Sequence, residues 1–143
     1  MLLGAAAGVG ATLALHQVMA ASEKLIPDSK PPMNDDPGKF MARKAKVPAK
    51  LESAAAKSLQ LGYGVTAGAF YGAIRGRRPV NILIDGTLLG IAVWAAGYLG
   101  WLPAAGLMPP ITQQSARQIA VPIANHIVFG VVVATAFDGL LRV

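Results

Sequence analysis

His16 and His126 are the two histidines of the chain, and with Gln17, Gln60 and Asn125 they fall inside long charge-free stretches. At membrane depth, such groups must each find a partner on another helix or in water. A histidine pair on facing helices is a minimal ligand set for haem iron. His16, Gln60 and His126 together could relay a proton or an ion, provided that an acid stood at the same depth. Asp85 and Asp138 instead lie toward the opposite ends of their stretches, beside Arg75, Arg77, Arg78 and Arg142. No aromatic or arginine pattern accompanies the histidines as a haem site would need. The simpler chemistry is interhelical hydrogen bonding for His16, Gln60 and His126 and interfacial ion pairing for the charges. Asp138 and Arg142, four residues apart, share a helix face and form a natural pair.

Other chemistries lack their residues. The absence of cysteine removes disulfides, thiolate catalysis, iron–sulfur clusters and cysteine-bound zinc, and leaves the redox compartment open. Two histidines are too few for a zinc site of the ordinary kind. Ser58 has no neighbouring base, and no G-x-S-x-G turn occurs. The sequence therefore reads as a non-enzymatic protein with no catalytic residue, no metal ligand and no cofactor.

The elements that must position these residues follow from composition. With 54% hydrophobic and 14% charged residues in 143 positions, the chain departs from soluble domains, in which about a quarter of residues are charged. A span needs about 20 apolar residues, so there is room for about four and for no large extramembrane domain. The net charge of +6 comes from Lys and Arg in the connections between apolar runs, the usual flanks of membrane spans. A nucleic-acid partner is not expected, because no basic stripe is interleaved with aromatic residues. The lipid bilayer is the expected surrounding.

The charge-free runs predict a single all-α membrane domain over 1–143, with helices near 2–21, 54–74, 80–102 and 122–141 arranged up-down-up-down. Pro103 closes the third and Pro122 opens the fourth, where its missing N–H costs nothing. The first run lacks the basic start of a signal peptide, so it reads as a retained span. Five prolines break the connection 22–53. Within it, Lys39, Phe40, Met41, Arg43, Lys44 and Lys46 fit either a short basic amphipathic helix at the headgroups or a solvated loop. Residues 75–79 form a tight basic turn that makes its flanking helices antiparallel neighbours, and 103–121 is a Pro-rich connection.

Glycine supplies the most regular pattern. Gly64, Gly68, Gly72 and Gly76 recur every fourth residue, and Gly4/Gly8 and Gly86/Gly90 repeat the spacing in the first and third helices. Small residues let helix backbones approach where lipid offers no hydrophobic drive to associate. The expected use of this seam is within the bundle, and a homodimer or a partner membrane subunit is the other surface it could serve. Overlaying the two halves places Gly4 and Gly8 on Gly86 and Gly90, Pro31-Pro32 on Pro109-Pro110, and Gln60, Tyr63, Gly64 and Tyr71 on His126, Phe129, Gly130 and Phe137. This predicts two parallel two-helix repeats about a pseudo-twofold axis along the membrane normal.

Gly4-x-x-x-Gly8 leading to Pro31-Pro32, a helix ending in a basic turn, Gly86-x-x-x-Gly90 leading to Gly106-Leu107-Met108-Pro109-Pro110, and Asn125-His126-Ile127-Val128-Phe129-Gly130 together resemble the YagU-like small bacterial inner-membrane proteins. The resemblance covers most of the chain, although the long lysine-rich first connection departs from it. It implies a four-span inner-membrane protein of unassigned role with a link to acid tolerance, and it carries over no catalytic residue. On this basis both termini are expected in the cytoplasm with the Arg75-Arg77-Arg78 turn. A tally of the eight Lys and Arg in the first connection and its flanks points the other way. The functional expectation is a structural or accessory membrane protein. The alternative is a small transporter or proton- or ion-conducting protein using His16, Gln60 and His126.

Overall fold

A computed structural model describes residues 1–79 and 81–142 and is all-α. Helix α1 (Leu2–Leu25) is largely apolar and continues one turn beyond the expected end at residue 21, through Glu23 and Lys24. Helix α2 (Pro37–Lys44) starts where the Asp36 side chain accepts the Lys39 N–H at 2.8 Å. Helix α3 (Glu52–Arg75) ends at Gly76, whose φ of 56° is a conformation that side chains disfavour. Helix α4 (Ile82–Ala104) is capped by Asn81 and is α-helical over Ile82–Ala95, then π-helical over Ala96–Trp101. It stops at Gly106, which turns back to the Pro103 carbonyl while Leu107 reaches Leu102, both at 3.0 Å. Helix α5 (Ala116–Leu141) completes the chain.

Two predicted boundaries are corrected by local chemistry. The last helix begins at Ala116 and not at Pro122, because Ser115 and Gln118 form a reciprocal capping box one and a half turns earlier. Pro122 lies inside α5, where the one hydrogen bond it forfeits is tolerated. The third helix was expected from Val80, which is outside the described residues, and the described helix starts at Ile82. Between Pro37 and Pro48 the chain forms a helix.

Helices α1, α4 and α5 are long and apolar enough to cross a membrane. Helix α3 has the same 24 residues as α1, roughly 36 Å of helix, but it carries Glu52, Lys57 and Arg75 and is less apolar. Successive long helices are antiparallel. Gly4 and Gly8 near the start of α1 meet Gly68 and Gly64 toward the end of α3, and Gly86 and Gly90 meet Gly130 and His126. Helix α1 is packed between α3 and α5, and α4 packs on α5. Helices α3 and α4 touch lightly, through the Tyr63 hydroxyl donating to the Val93 carbonyl at 3.5 Å.

The glycine seams are backbone contacts within one chain. A Cβ on Gly86 would lie 2.6 Å from the Val131 Cα, and one on Gly68 would lie 2.9 Å from the Gly8 Cα. Neither backbone can move aside without separating its helix pair. Gly72 meets the Phe137 ring, whereas Gly76 has open space around it and serves the turn, so the seam of α3 is Gly64, Gly68 and Gly72. Gly68 sits between Gly4 and Gly8 as Gly130 sits between Gly86 and Gly90. Packing thus equates Gly68 with Gly130, one turn from the register of the sequence overlay. The extended α1–α5 contact has no counterpart between α4 and α3 among the described residues. The two pairs therefore share their glycine packing but not a common twofold relation.

Two apolar clusters fill the bundle. Ala7, Ala11, Tyr71, Phe129, Val133, Ala134 and Phe137 form one, and Trp94, Tyr98, Leu102, Leu107 and Met108 form the other. The second is closed by the two proline-rich connections, which are joined where Asn34 donates from its backbone to Leu107 at 2.8 Å and from its side chain to Gly106 at 2.9 Å.

Replacing Gly68 with Leu forces a side chain against Gly4 and Gly8 and is expected to cost about 1–3 kcal/mol of stability in detergent. Gly62, with nothing within 4 Å of an added Cβ, is the control: Gly62→Leu should leave the thermal midpoint close to that of the parent. Equal midpoints for the two variants would show that the seam does not set the α1–α3 spacing.

Candidate functional site

Polar side chains gather at the two ends of the bundle. At the end where α1 and α4 begin and α3 and α5 finish, Arg75 reaches from the last turn of α3 to Asp138 of α5. Its Nη2 donates to Oδ1 at 2.6 Å, and the Arg75 side chain is only 4% exposed. Arg142, one turn beyond Asp138, donates from Nε to the other carboxylate oxygen at 2.8 Å. The Arg75 guanidinium also lies over the Phe137 ring, 5.3 Å from its centroid, and Tyr71 packs edge-on against the same ring. Arg75 Nε and Nη1 and the Tyr71 hydroxyl are buried without a hydrogen-bond partner among the described residues. The expected Asp138–Arg142 pair is present, and Arg75 adds a cross-helix partner that spacing alone does not reveal.

The other charges of this end are distributed differently. Asp85 is half-buried in the first turn of α4. Arg78 donates to the Ile74 carbonyl at 2.8 Å and so caps the end of α3. Arg77 is exposed, with no ion pair or side-chain hydrogen bond among the described residues.

The opposite end holds the membrane-depth polar residues read from the sequence. His126 is half-buried; its Nδ1 lies 2.8 Å from the Pro122 carbonyl, and its ring meets Tyr98 edge-on at 5.6 Å. Asn125 donates to the Ser22 hydroxyl at 3.0 Å, tying α5 to α1. A narrow polar crevice beside them is lined by Ser22, Glu23, Lys30, Tyr98, Asn125 and His126. His16 is exposed on α1 and Gln60 is half-buried on α3. Among the described residues no hydrogen bond joins His16, Gln60 and His126. The partner of His126 is Tyr98, in the π-helical stretch. The sequence signal for that stretch is Gly97 and Gly100 among Trp94, Tyr98 and Trp101 in an otherwise regular span. No group of three or more potential metal ligands forms among the described residues.

Helix α2 is docked against this end. Gly38 packs on Ala56 of α3, Ala42 is fully buried, and Phe40 joins the second apolar cluster. Arg43 bridges Asp35 and Glu52, so a guanidinium joins the approach to α2 with the start of α3. Hydrogen bonding to Arg43 holds the Asp35 carboxyl below its ordinary value of 3.8, and the same contact raises Arg43.

Chemically, one end offers a buried ion pair locked among aromatics and the other a narrow polar crevice. Comparison with protein-family models, curated proteins and solved structures finds no match to the chain. The fold and its composition define the class: a helical protein with three helices able to cross a membrane.

Arg75→Gln removes the buried partner of Asp138 and is expected to cost about 3 kcal/mol, the low end for a broken buried pair because Arg142 still holds the carboxylate. Arg142→Gln, at a side chain 77% exposed, should stay near the parent. Thermal unfolding in one detergent compares them, and an Arg75→Gln midpoint equal to that of Arg142→Gln would show that the buried pair does not hold α3 to α5. A second expectation concerns acid. Because the folded value of Asp35 is lowered, its contribution is complete above the ordinary value of 3.8 and is lost as pH falls through the lowered one. A spin label on Ala45→Cys, an exposed position at the end of α2 in a chain without other cysteines, should be more mobile in acid than at neutral pH. Arg43→Gln should abolish that acid step.

Proposed function

We propose that the chain is a small multi-pass membrane protein with a structural or accessory role and no enzymatic activity, in which α1, α3, α4 and α5 all cross, up-down-up-down. The observation that carries the reading is the backbone-to-backbone packing of Gly4 and Gly8 on Gly64 and Gly68, and of Gly86 and Gly90 on Gly130. Such packing stabilises helices where lipid surrounds them, and it leaves the middle of each pair dry. Helix α3 belongs in this set because it runs the length of α1 and its charges, Glu52, Lys57 and Arg75, sit at its two ends. A conducting path would need polar lining along the bundle, and the polar groups here collect at the ends.

The bacterial inner membrane is the location implied by the resemblance to the YagU-like proteins. Met1, Arg77 and Leu141 line one depression, which in this reading puts the start of α1 and the end of α5 on one side. In this reading the Arg75-Arg77-Arg78 turn keeps that side in the cytoplasm. A reporter fused after Arg142 and active only in the cytoplasm agrees with this. Activity only in the periplasm gives the opposite orientation, which the more numerous basic residues of the α2 end favour.

Alkaline carbonate should leave the chain in the membrane pellet. Purification from membranes in mild detergent should yield either a homodimer or a second membrane protein in fixed ratio. Vesicles carrying the purified chain should pass protons and small ions no faster than empty vesicles. Flux that His126→Gln abolishes would replace the accessory reading with the conducting one.

A further inference from the structure

The end of the bundle that carries Arg75 has a shallow apolar depression. Gly72 and Phe137 form its floor, Leu2, Leu3 and Leu141 its walls, and Arg77 stands at its rim. Phe137 is 2% exposed, whereas Leu2 is 88% and Leu3 39% exposed, so apolar walls rise around a buried base. Among the described residues, Arg77 is the one charged side chain that lines the depression. Asp138, the carboxylate beside the depression, already accepts from both Arg75 and Arg142. Arg78 lends its guanidinium to the Ile74 carbonyl but keeps its charge. Arg77 has no protein partner among the described residues.

We infer that this depression binds a single anionic phospholipid, its acyl chain against Leu3, Phe137 and Leu141 and its phosphate at Arg77. The inference rests on the membrane reading above. An apolar trough beside an exposed guanidinium is complementary to a molecule that joins a hydrocarbon chain to a phosphate. Free phosphate has no use for the trough, and a zwitterionic headgroup gains less from an arginine than an anionic one. Close packing makes the floor: at Gly72 a Cβ would already lie 2.9 Å from the Phe137 ring and 3.1 Å from the Gly4 Cα, so α1, α3 and α5 meet there and the depression opens above them.

The test is native mass spectrometry of the purified full chain in detergent, with added phosphatidylglycerol, phosphatidylcholine or inorganic phosphate. The parent should retain one phosphatidylglycerol in preference to phosphatidylcholine. Arg77→Gln should weaken that retention about fivefold, the effect of one basic side chain at a headgroup. Leu141→Trp, which fills the trough without altering charge, should weaken it as well, and Lys44→Gln at the opposite end should not. Far-ultraviolet circular dichroism establishes that each variant is folded as the parent is. Equal retention of the two lipids, or unchanged retention in Arg77→Gln, overturns the inference. So does protection by inorganic phosphate alone, which leaves an anion site without a lipid. A dimer that Leu141→Trp disrupts regardless of lipid overturns it in favour of a second copy. A chain released by carbonate defeats the membrane reading itself, whereas a chain that stays in the membrane without lipid selectivity defeats only this site.

Discussion

Backbone meets backbone at Gly4 and Gly68, at Gly8 and Gly64, and again at Gly86 and Gly130, and the positions of the other groups follow from those contacts. In water, helices this apolar would associate through their side chains. In lipid that drive is absent, and close packing of small residues takes its place. Once α1 is held this near to α3, and α4 this near to α5, Phe129, Val133 and Phe137 can fill the remaining space between the pairs. The glycine contacts also fix the vertical register of each pair. That register brings the last turn of α3 level with the last turn of α5.

The Arg75–Asp138 pair depends on this alignment. A buried ion pair is costly to desolvate and holds only when its geometry is good. Here the carboxylate is shared with Arg142, and the Arg75 guanidinium rests over the Phe137 ring, so the charge is contacted on several sides. At the other end the bundle is closed by its connections, with the Arg43 bridge to Asp35 and Glu52 at their exposed edge. The proline-rich connections hydrogen-bond through Asn34, and α2 lies on α3 through Gly38 and Ala42. The charged and amide side chains thus lie toward two separate ends, with glycine, threonine and mostly apolar side chains between them. This division supports the proposed accessory role over a conducting one.

Much of the fold was legible in local chemistry. Charge-free length marks the long helices, because backbone groups in lipid must bond within their own helix. The four-residue spacing of Gly64, Gly68 and Gly72 marks a face, since residues four apart share one. The start of α5 was also legible, in the Ser115–Gln118 capping box, but Pro122 is the louder signal and points to the wrong residue. Gly76 shows the limit of periodicity. It continues the spacing of the seam, yet its φ of 56° gives it to the turn.

What the sequence by itself determined is the helical, lipid-suited character of the chain, its approximate helix ends, and the glycine faces along which helices can touch. These are properties of segments and depend on residues near one another in the chain. The tertiary structure alone decided which faces meet, and with them the one-turn shift of Gly68 onto the place of Gly130, the partnership of Arg75 with Asp138, and the pairing of His126 with Tyr98 and not with His16. Residues 63 apart, as Arg75 and Asp138 are, share no local periodicity. Their contact is fixed where Gly72 of α3 meets Gly4 of α1 and Phe137 of α5, which is a steric property of the assembled bundle.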